Sequence, residues 1–542
     1  MSSTTIAIEE GAPPDREAEA EARRRTWVLV AVCTGLIAVV ASVSGLNVAQ
    51  GQLAADLGAT QSQLLWVING YTIALAALLL PVGAIGDRWG RKQVLLAGLT
   101  VFALANVGAA FAGTIDQLLA ARVVAGAAAA MIMPVTLSVI TSTFPEEERD
   151  RAIGVWAGFA GAGGILGLLS SSIVVDNVTW PWVFATPTLL AAAALVMTVA
   201  VVPRSRDEAH GQFDTLGSFL SAIAVGGLVL AVHEGPEVGW NDPLTVFGLT
   251  AGILASAWFV WWELRVEEPL LDIRVFRNRS LATSSVVLMV LFAMMMGLFL
   301  IIVQFLQAVL GYSAIKASLS LMPMAAVMMP LSAMAPRIAS RVGYRTMFTV
   351  GMGLFATGLA MMASMTSVSG GYWSVLPGLL VLAVGMGMAQ TPATTAITAS
   401  LPVEEQGVAS ALNDTVREFG GALGIALVGS VLSSGYRAGL GTSADVLPAD
   451  AAEAVKSGIG GASYVASQAG AAGEQIMTVA RGAFVDGLAT SLWVAAGISV
   501  LAGVVAFVWT PKQARATDGD VVELEELSVL EHGIEAEAVL ID

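Results

Sequence analysis

Cysteine, histidine and charge are scarce in this chain. One cysteine, Cys33, occurs in 542 residues, which excludes a disulfide framework and a cysteine metal cluster. The three histidines, His210, His233 and His532, are far apart and lack metal-ligand spacing. Charged residues make up 13% of the chain, against roughly 25% in a soluble protein. Because the sequence also lacks a nucleotide-binding loop and a catalytic triad, we expect neither an enzyme nor a cofactor.

The residues that are abundant are apolar. Hydrophobic residues make up 56% of the chain, and the mean hydropathy is +0.76. The net charge of −16 arises in large part from residues 511–542, which hold nine acids and two bases. A solvated acidic tail accounts for this charge, so we expect no nucleic-acid partner.

Long apolar runs predict an all-α protein that crosses a lipid bilayer. A helix needs about 20 apolar residues to span the ~30 Å hydrocarbon core, and its backbone polar groups must be satisfied within the segment. The sequence contains fourteen such runs, at 27–47, 64–85, 94–112, 118–141, 152–175, 182–202, 214–233, 243–262, 281–303, 316–337, 346–366, 373–397, 408–434 and 486–510.

The basic residues predict how these spans are oriented. If the amino terminus is cytoplasmic, twenty of the 26 lysines and arginines fall in cytoplasmic segments. The outer loops hold only Lys316, Arg437, Lys456 and Arg481. Lysine and arginine accumulate on the cytoplasmic side of membrane proteins. We therefore expect a multi-pass protein of the cell membrane with both termini in the cytoplasm.

A charged turn follows the second span and has a weak echo after the tenth. The first turn runs Gly83–Lys92 and the second Pro336–Arg345. Such an echo indicates duplicated halves. The predicted organisation is a cytoplasmic tail (1–26), a six-helix half (27–202), two inserted helices (214–262), a second six-helix half (281–510) with a long outer loop (435–485), and an acidic cytoplasmic tail (511–542).

The turn and several other motifs resemble one transporter family. Besides Gly83–Lys92, they are Leu118–Gly126, Gly158–Gly167, Trp180–Phe184, Glu268–Phe276, Leu306–Ser313 and Ala409–Glu418. They resemble signatures of the fourteen-helix drug:proton antiporter branch of the major facilitator superfamily. The resemblance implies a major facilitator fold with 14 transmembrane helices. It further implies proton-coupled efflux of small amphipathic compounds by alternating access, with the compound, protons and the lipid bilayer as partners.

The chain departs from this branch in span one and span five. Ser42 occupies the position of an acid that relatives expelling cationic drugs carry, Gly51 replaces a proline, and Gly164 replaces the usual proline of the glycine-rich motif. Two alternatives therefore stay open. One is a lipid or metabolite exporter of the same fold, and the other is a membrane sensor or scaffold that does not transport.

Ionisable residues inside apolar spans are candidates for proton coupling, since a charge at mid-bilayer costs about 2.5–3.5 kcal/mol on insertion scales. Burial favours a neutral carboxyl group and a nearby arginine favours its charged form. The alternatives are a static Asp414–Arg417 ion pair facing water, and pairing of Arg122 with a backbone carbonyl or an asparagine. The candidates are Glu418, Asp414, Arg417 and Arg122.

The charged turn is a candidate cytoplasmic gate. The resemblance implies that Asp87 sits against the amino end of span thirteen, near Gly407, where a carboxylate is favoured by the helix dipole. Arg88, Arg91, Arg149 and Arg151 are expected to complete this contact. The alternative is that the arginines only fix topology, which does not explain Asp87. The candidate gate comprises Gly83, Asp87, Arg88, Gly90 and Arg91.

Polar residues inside the spans are candidates for contacting the substrate, although membrane helices also use such groups to bind each other. Methionines, concentrated between 289 and 388, adapt to varied apolar ligands. The polar candidates are Asn47, Asn69, Gln304, Gln307, Gln390 and Thr394.

Overall fold

Helices dominate the part of the chain that the structure describes. A computed structural model describes residues 16–204, 213–444 and 446–511. Within these ranges, fourteen helices are long and apolar enough to cross a membrane, which confirms the predicted number. Most of both predicted tails, including Lys512 and Arg515, lies outside the described residues.

The spanning helices follow one another along the chain, with two short helices before the last. They are α1 (Arg16–Leu57), α2 (Gln61–Trp89), α3 (Arg91–Ala110), α4 (Ile115–Thr143), α5 (Glu146–Asn177), α6 (Ala185–Val201), α7 (Thr215–Val238), α8 (Pro243–Glu263), α9 (Arg279–Gln304), α10 (Ala314–Val342), α11 (Tyr344–Met365), α12 (Leu376–Thr398), α13 (Gln406–Leu440) and α16 (Gly473–Trp509). The short helices are α14 (Ala449–Ser457) and α15 (Ile459–Gln468).

Several helices extend beyond their apolar runs, and the long loop is correspondingly shorter. Helix α13 continues to Leu440 and α16 already begins at Gly473. Between them, α15 packs against α16. The Tyr436 hydroxyl donates a hydrogen bond to the Val455 carbonyl of α14 (3.0 Å), which ties α14 to α13.

Two large apolar cores lie in different parts of the sequence. One gathers buried residues between Val28 and Val202. The other draws most of its members from the stretch between Leu281 and Ala506. Helices α7 and α8 pack against each other, and α7 also contacts α2 and α13. The inserted pair therefore lies beside the place where the first and second halves meet.

The charged turn and its echo have the same backbone geometry. A single glycine separates α2 from α3 and α10 from α11, with φ of 102° at Gly90 and 80° at Gly343. Only glycine adopts such positive φ values without strain. The sequence echo between the halves therefore reflects one turn used twice.

Buried carboxylates join the two inserted helices to each other and to the linker that follows them. Asp214 accepts hydrogen bonds from the Gly217 N–H (2.7 Å) and the Trp262 indole N–H (3.0 Å). Glu263 is completely buried and accepts one from the Leu271 N–H (3.1 Å). The motif Glu268–Phe276 thus has a structural role here, because Leu271 fixes the linker against the end of α8.

Candidate functional site

We call the side of the molecule on which α1 begins and α16 ends the terminal side. There, the end of α2 meets the first turn of α13. The Asp87 carboxylate is 7% exposed and accepts hydrogen bonds from the backbone N–H of Gly407 (2.8 and 3.0 Å to its two oxygens) and of Val408 (3.2 Å). No side chain of its own caps α13. Asp87 therefore caps α13 from another helix, satisfying N–H groups that a helix start leaves unpaired.

Two glycines allow this close approach. A Cβ atom on Gly83 would lie 2.6 Å from the Gly407 carbonyl oxygen and 2.7 Å from the Ala411 Cβ. A Cβ atom on Gly407 would lie 2.6 Å from an Asp87 carboxylate oxygen. Larger residues at either position would separate α2 from α13. Gly407 therefore belongs to the contact, although the sequence indicated it only as a helix start.

The arginines near this contact have different partners. Arg91 donates to Asp87 through Nε (3.1 Å) and Nη2 (2.9 Å). The Arg88 guanidinium lies over the Phe213 ring, 5.5 Å from its centroid, and so contacts the segment leading into α7. In the described residues, Arg149 and Arg151 make no hydrogen bond or ion pair with Asp87, and the expectation that they complete the contact is wrong for this conformation.

The glycine-rich motif of α5 packs between α1 and α10. A Cβ atom on Gly161 would lie 2.8 Å from the Met328 side chain, and one on Gly167 would lie 2.5 Å from the Ala41 Cα. Near the other end of the same interface, the Ser172 and Ser318 hydroxyls are 3.0 Å apart. Helices α5 and α10 thus touch along much of their length, and they form a second contact between the halves.

The ionisable cluster of α13 contains one buried ion pair. Asp414 is fully buried and accepts a hydrogen bond from Arg417 Nη1 (3.0 Å). The Arg417 guanidinium lies between the rings of Phe292 (4.4 Å) and Trp156 (5.3 Å). The pair therefore does not face water, because aromatic rings from α5 and α9 enclose it.

Glu418 is the acid of this cluster that no base binds. Its side chain is half-buried, and within the described residues it has no hydrogen bond or ion pair. At 1.5 Å per residue it lies roughly 18 Å from the start of α13. It is close enough to Tyr71 of α2 for its charge to act on that side chain. Glu418 is therefore an acid near mid-membrane, beside the other half.

Arg122 is a buried cation that no carboxylate binds in the described part of the chain. It is 1% exposed, and its Nη1 donates to the Ser42 hydroxyl (2.8 Å) while its Nε donates to the Val67 carbonyl (3.4 Å). Its guanidinium lies 4.2 Å from the Tyr71 ring centroid. Ser42 in turn donates to Asn106 (3.2 Å). A neutral network thus surrounds a full positive charge, and the Arg122 Nη2 atom has no hydrogen-bond partner among the described residues.

The charges of these two regions are complementary. Arg122 and Arg417 supply two positive charges, and Asp414 and Glu418 supply two negative charges when both are ionised. Helices α4 and α13 pack against each other. Binding one proton to either acid leaves this part of the membrane interior with a net positive charge. The arrangement can therefore respond to proton binding.

The polar candidates for substrate contact lie at different levels. Gln390 and Thr394 on α12 are each 1% exposed, and Gln390 donates to the Ala157 carbonyl of α5 (3.0 Å). Within the described part of the chain, the Gln390 Oε1 and Thr394 Oγ1 atoms have no hydrogen-bond partner. Asn69 is buried on α2. Gln304 and Gln307 are half-buried and lie roughly 18 Å or more along α9 from Phe292. The Asn47 side chain lies outside the described part of the structure.

Four residues of these networks escaped sequence reasoning. Tyr71 and Asn106 support Arg122, and Trp156 and Phe292 enclose Arg417. Aromatic residues inside apolar spans give no local signal of function. Of the four, only Asn106 carried a signal in the sequence, since a buried amide inside a membrane helix needs a hydrogen-bond partner.

Known proteins with similar sequences are named for multidrug efflux or for resistance to toxic compounds. The chain is 32% identical over 488 residues to the multidrug efflux pump LfrA of Mycolicibacterium smegmatis, covering 89% of this chain and 95% of the pump. It is 31% identical over 413 residues to the multidrug resistance protein Stp of Mycobacterium tuberculosis, covering 76% of each. It is 32% identical over 464 residues to the methyl viologen resistance protein SmvA of Salmonella typhimurium, covering 85% of this chain and 93% of SmvA.

Solved structures share the fold at low sequence identity. The proton:xylose symporter XylE has a TM-score of 0.58 at 12% identity, covering 91% of this chain and 97% of the symporter. The human organic anion transporter MFSD10 has a TM-score of 0.57 at 12% identity, covering 91% of this chain and 100% of the transporter. Residues 30–425 match the profile of the Major Facilitator Superfamily. With fourteen spanning helices, the charged turn and these relatives, the chain belongs to the major facilitator superfamily of transporters.

Proposed function

We propose that this protein exports amphipathic organic compounds across the cell membrane in exchange for protons. Export of drugs is supported by the names of relatives such as LfrA and Stp. The observation that carries the coupling is Glu418, an acid without a bound base near mid-membrane. Its charge is balanced only by arginines, so gain or loss of one proton changes the net charge of the region.

The proposed orientation places the terminal side in the cytoplasm. Basic residues concentrate there, as lysine and arginine do on the cytoplasmic side of membranes. They lie in the described turns and helix ends as Arg88, Arg91, Lys92, Arg149, Arg151, Arg265, Arg274, Arg277, Arg279, Arg337, Arg341 and Arg345. Export then means transport from the terminal side to the opposite side.

Alternating access requires the contacts between the halves to break and re-form. In the described conformation, the Asp87–α13 contact joins the two halves on the terminal side. A cytoplasmic compound enters only after Asp87 releases the Gly407 and Val408 N–H groups. We assign the gate role to Asp87 and Arg91 together with Gly83, Gly90 and Gly407. Arg88 joins the gate to the inserted pair through Phe213.

The coupling follows from the preference of a buried region for charge neutrality. With Glu418 ionised, its carboxylate offsets the uncompensated Arg122. With Glu418 protonated, that offset disappears and the region gains one positive charge, which is costly in a medium of low dielectric constant. The two protonation states therefore favour different separations of α4 and α13, and the proton gradient selects between them.

The first prediction concerns the gate. Asp87→Ala removes the acceptor of two backbone N–H groups of α13. A hydrogen bond to a charged group contributes about 1.5–3 kcal/mol, so a loss of ~2 kcal/mol would shift the ratio of closed and open forms about thirtyfold. We expect flux to fall at least tenfold at equal expression, measured in inverted vesicles.

The matched control is Asp116→Ala. Asp116 is an acid in the first turn of α4, but it is exposed and lies on the opposite side of the membrane from Asp87. Its removal should leave flux within about twofold of the wild type, as expected for an exposed charge. Unchanged flux for Asp87→Ala would show that the gate assignment is wrong.

The second prediction tests the coupling acid. Glu418→Gln fixes the side chain in a neutral state, so a vesicle interior more acidic than the medium should no longer drive uptake. Substrate counterflow in the same vesicles should continue, because exchange needs no net proton movement. Asp414→Asn should lower the rates of gradient-driven uptake and of counterflow together, since it leaves Arg417 buried without a charged partner.

Normal gradient-driven uptake by Glu418→Gln would remove this residue from the mechanism. ATP-dependent uptake that resists a protonophore would remove proton coupling altogether.

The third prediction concerns substrate charge. The uncompensated Arg122 disfavours cations, so the wild type should export neutral or zwitterionic compounds in preference to methyl viologen, a permanent dication. Ser42→Asp places a carboxylate where Arg122 Nη1 now meets a hydroxyl at 2.8 Å. We expect this variant to raise methyl viologen flux relative to a neutral substrate about tenfold, or ~1.4 kcal/mol, while Ser42→Asn does not. Export of methyl viologen by the wild type at a rate equal to that of the neutral substrate would refute the argument.

A further inference from the structure

Basic side chains from two other helices cap the carboxyl end of α6. The Lys92 ammonium, at the start of α3, donates to the carbonyl oxygens of Val199 (2.9 Å) and Val202 (2.8 Å). Arg24 of α1 donates through Nε to the Val201 carbonyl (3.1 Å). The last carbonyls of a helix have no intrahelical partner, so these cations complete the end of α6.

The cations exceed what the helix end requires. Arg204 lies close enough to Lys92 and Arg24 for the three charges to act together on Lys92. None of the three forms an ion pair in the described part of the chain, and the nearby acids Glu21 and Glu148 are bound by Arg25 (3.5 and 3.2 Å). Three full positive charges therefore face the roughly half negative charge of a helix carboxyl end.

Hydrogen-bond donors also remain at this cluster. A lysine ammonium has three N–H groups, of which Lys92 uses two, and an arginine guanidinium has five, of which Arg24 uses one. Arg204 is exposed and makes no hydrogen bond within the described residues. Unused donors on a cluster of surplus positive charge suit a phosphate, which accepts several charge-assisted hydrogen bonds.

The cluster lies at the level of lipid headgroups. Trp27, one turn from Arg24, is 47% exposed, and Trp89, just before the α2–α3 turn, is 72% exposed. Tryptophans gather where the bilayer meets water. Toward the bilayer centre, α1 and α6 present the exposed apolar side chains of Val30, Val196 and Val199. A lipid can therefore place its phosphate at the cations and its acyl chains against these valines.

We propose that Arg24, Lys92 and Arg204 form a binding site for an anionic lipid headgroup at the rim formed by α1, α3 and α6. Basic pockets between membrane helices on the cytoplasmic side bind such headgroups. Free phosphate has the same anionic group but lacks the acyl chains that the exposed valines would hold. The cytoplasmic leaflet follows from the orientation proposed above, whereas the binding chemistry depends neither on that orientation nor on transport.

The test measures lipid binding to the full chain in nanodiscs of zwitterionic lipid, without substrate. Labelled phosphatidylglycerol is the probe, and labelled phosphatidylcholine reports binding that ignores charge. We expect the double variant Arg24→Gln/Arg204→Gln to bind the anionic probe about 25-fold more weakly, or about fivefold per cation. The single variant Arg204→Gln, which breaks no described contact, should show the fivefold loss without a change in thermal stability.

The matched control is Arg337→Gln/Arg341→Gln, which removes the same charge from the terminal end of α10. Its affinity for labelled phosphatidylglycerol should stay within about twofold of the wild-type affinity. Equal losses in both double variants would show that surface charge alone attracts the lipid, and would overturn the site. Displacement of the probe by inorganic phosphate at equal concentration would assign the cations to free phosphate and overturn the lipid. Failure here would leave the proposed export intact, since no readout involves flux.

Discussion

The structure depends on one contact, in which the carboxylate of Asp87 caps helix α13 across a gap of 320 residues in sequence. Helix α13 has no side-chain cap of its own, and Asp87 takes that place while bound by Arg91. Because the acid belongs to one half and the helix to the other, a local capping interaction becomes a bond between halves. Gly83 and Gly407 make it possible, since any side chain there would hold the two helices apart.

In the proposed mechanism, charge neutrality in the membrane interior connects the Asp87 contact to proton coupling. Asp414 offsets Arg417 within an aromatic enclosure. Among the described residues, Arg122 has only neutral partners and Glu418 has no base bound to it. Both unmatched charges lie beside Tyr71 of α2, the helix that ends in Asp87. A proton on Glu418 therefore changes the electrostatic balance between α2, α4 and α13. The same α13 begins at the Asp87 contact, so in the proposed mechanism proton binding and gate opening act on one helix.

Features that a bilayer imposes locally could be predicted from sequence, and features that depend on packing could not. The number of spans follows from the length of apolar runs, and the Gly90 turn follows from its charged neighbours. The Asp87 contact came from resemblance, because nothing local relates it to Gly407. Phe292 and Trp156 around Arg417, and Tyr71 beneath Arg122, depend on how distant helices pack. For the same reason, Gln304 and Gln390 looked equivalent in sequence but lie at different levels.

The most direct test of this account is a distance measured across the terminal side. Spin labels at Glu147 of α5 and Arg341 of α10, both exposed, report the separation of the halves. The single cysteine is buried, and replacing it with serine leaves only the introduced thiols for labelling. We predict one narrow, short distance distribution for the protein with Asp87 intact, and a substantial population at longer distances for Asp87→Ala. Identical distributions would contradict the claim that this carboxylate holds the two halves together.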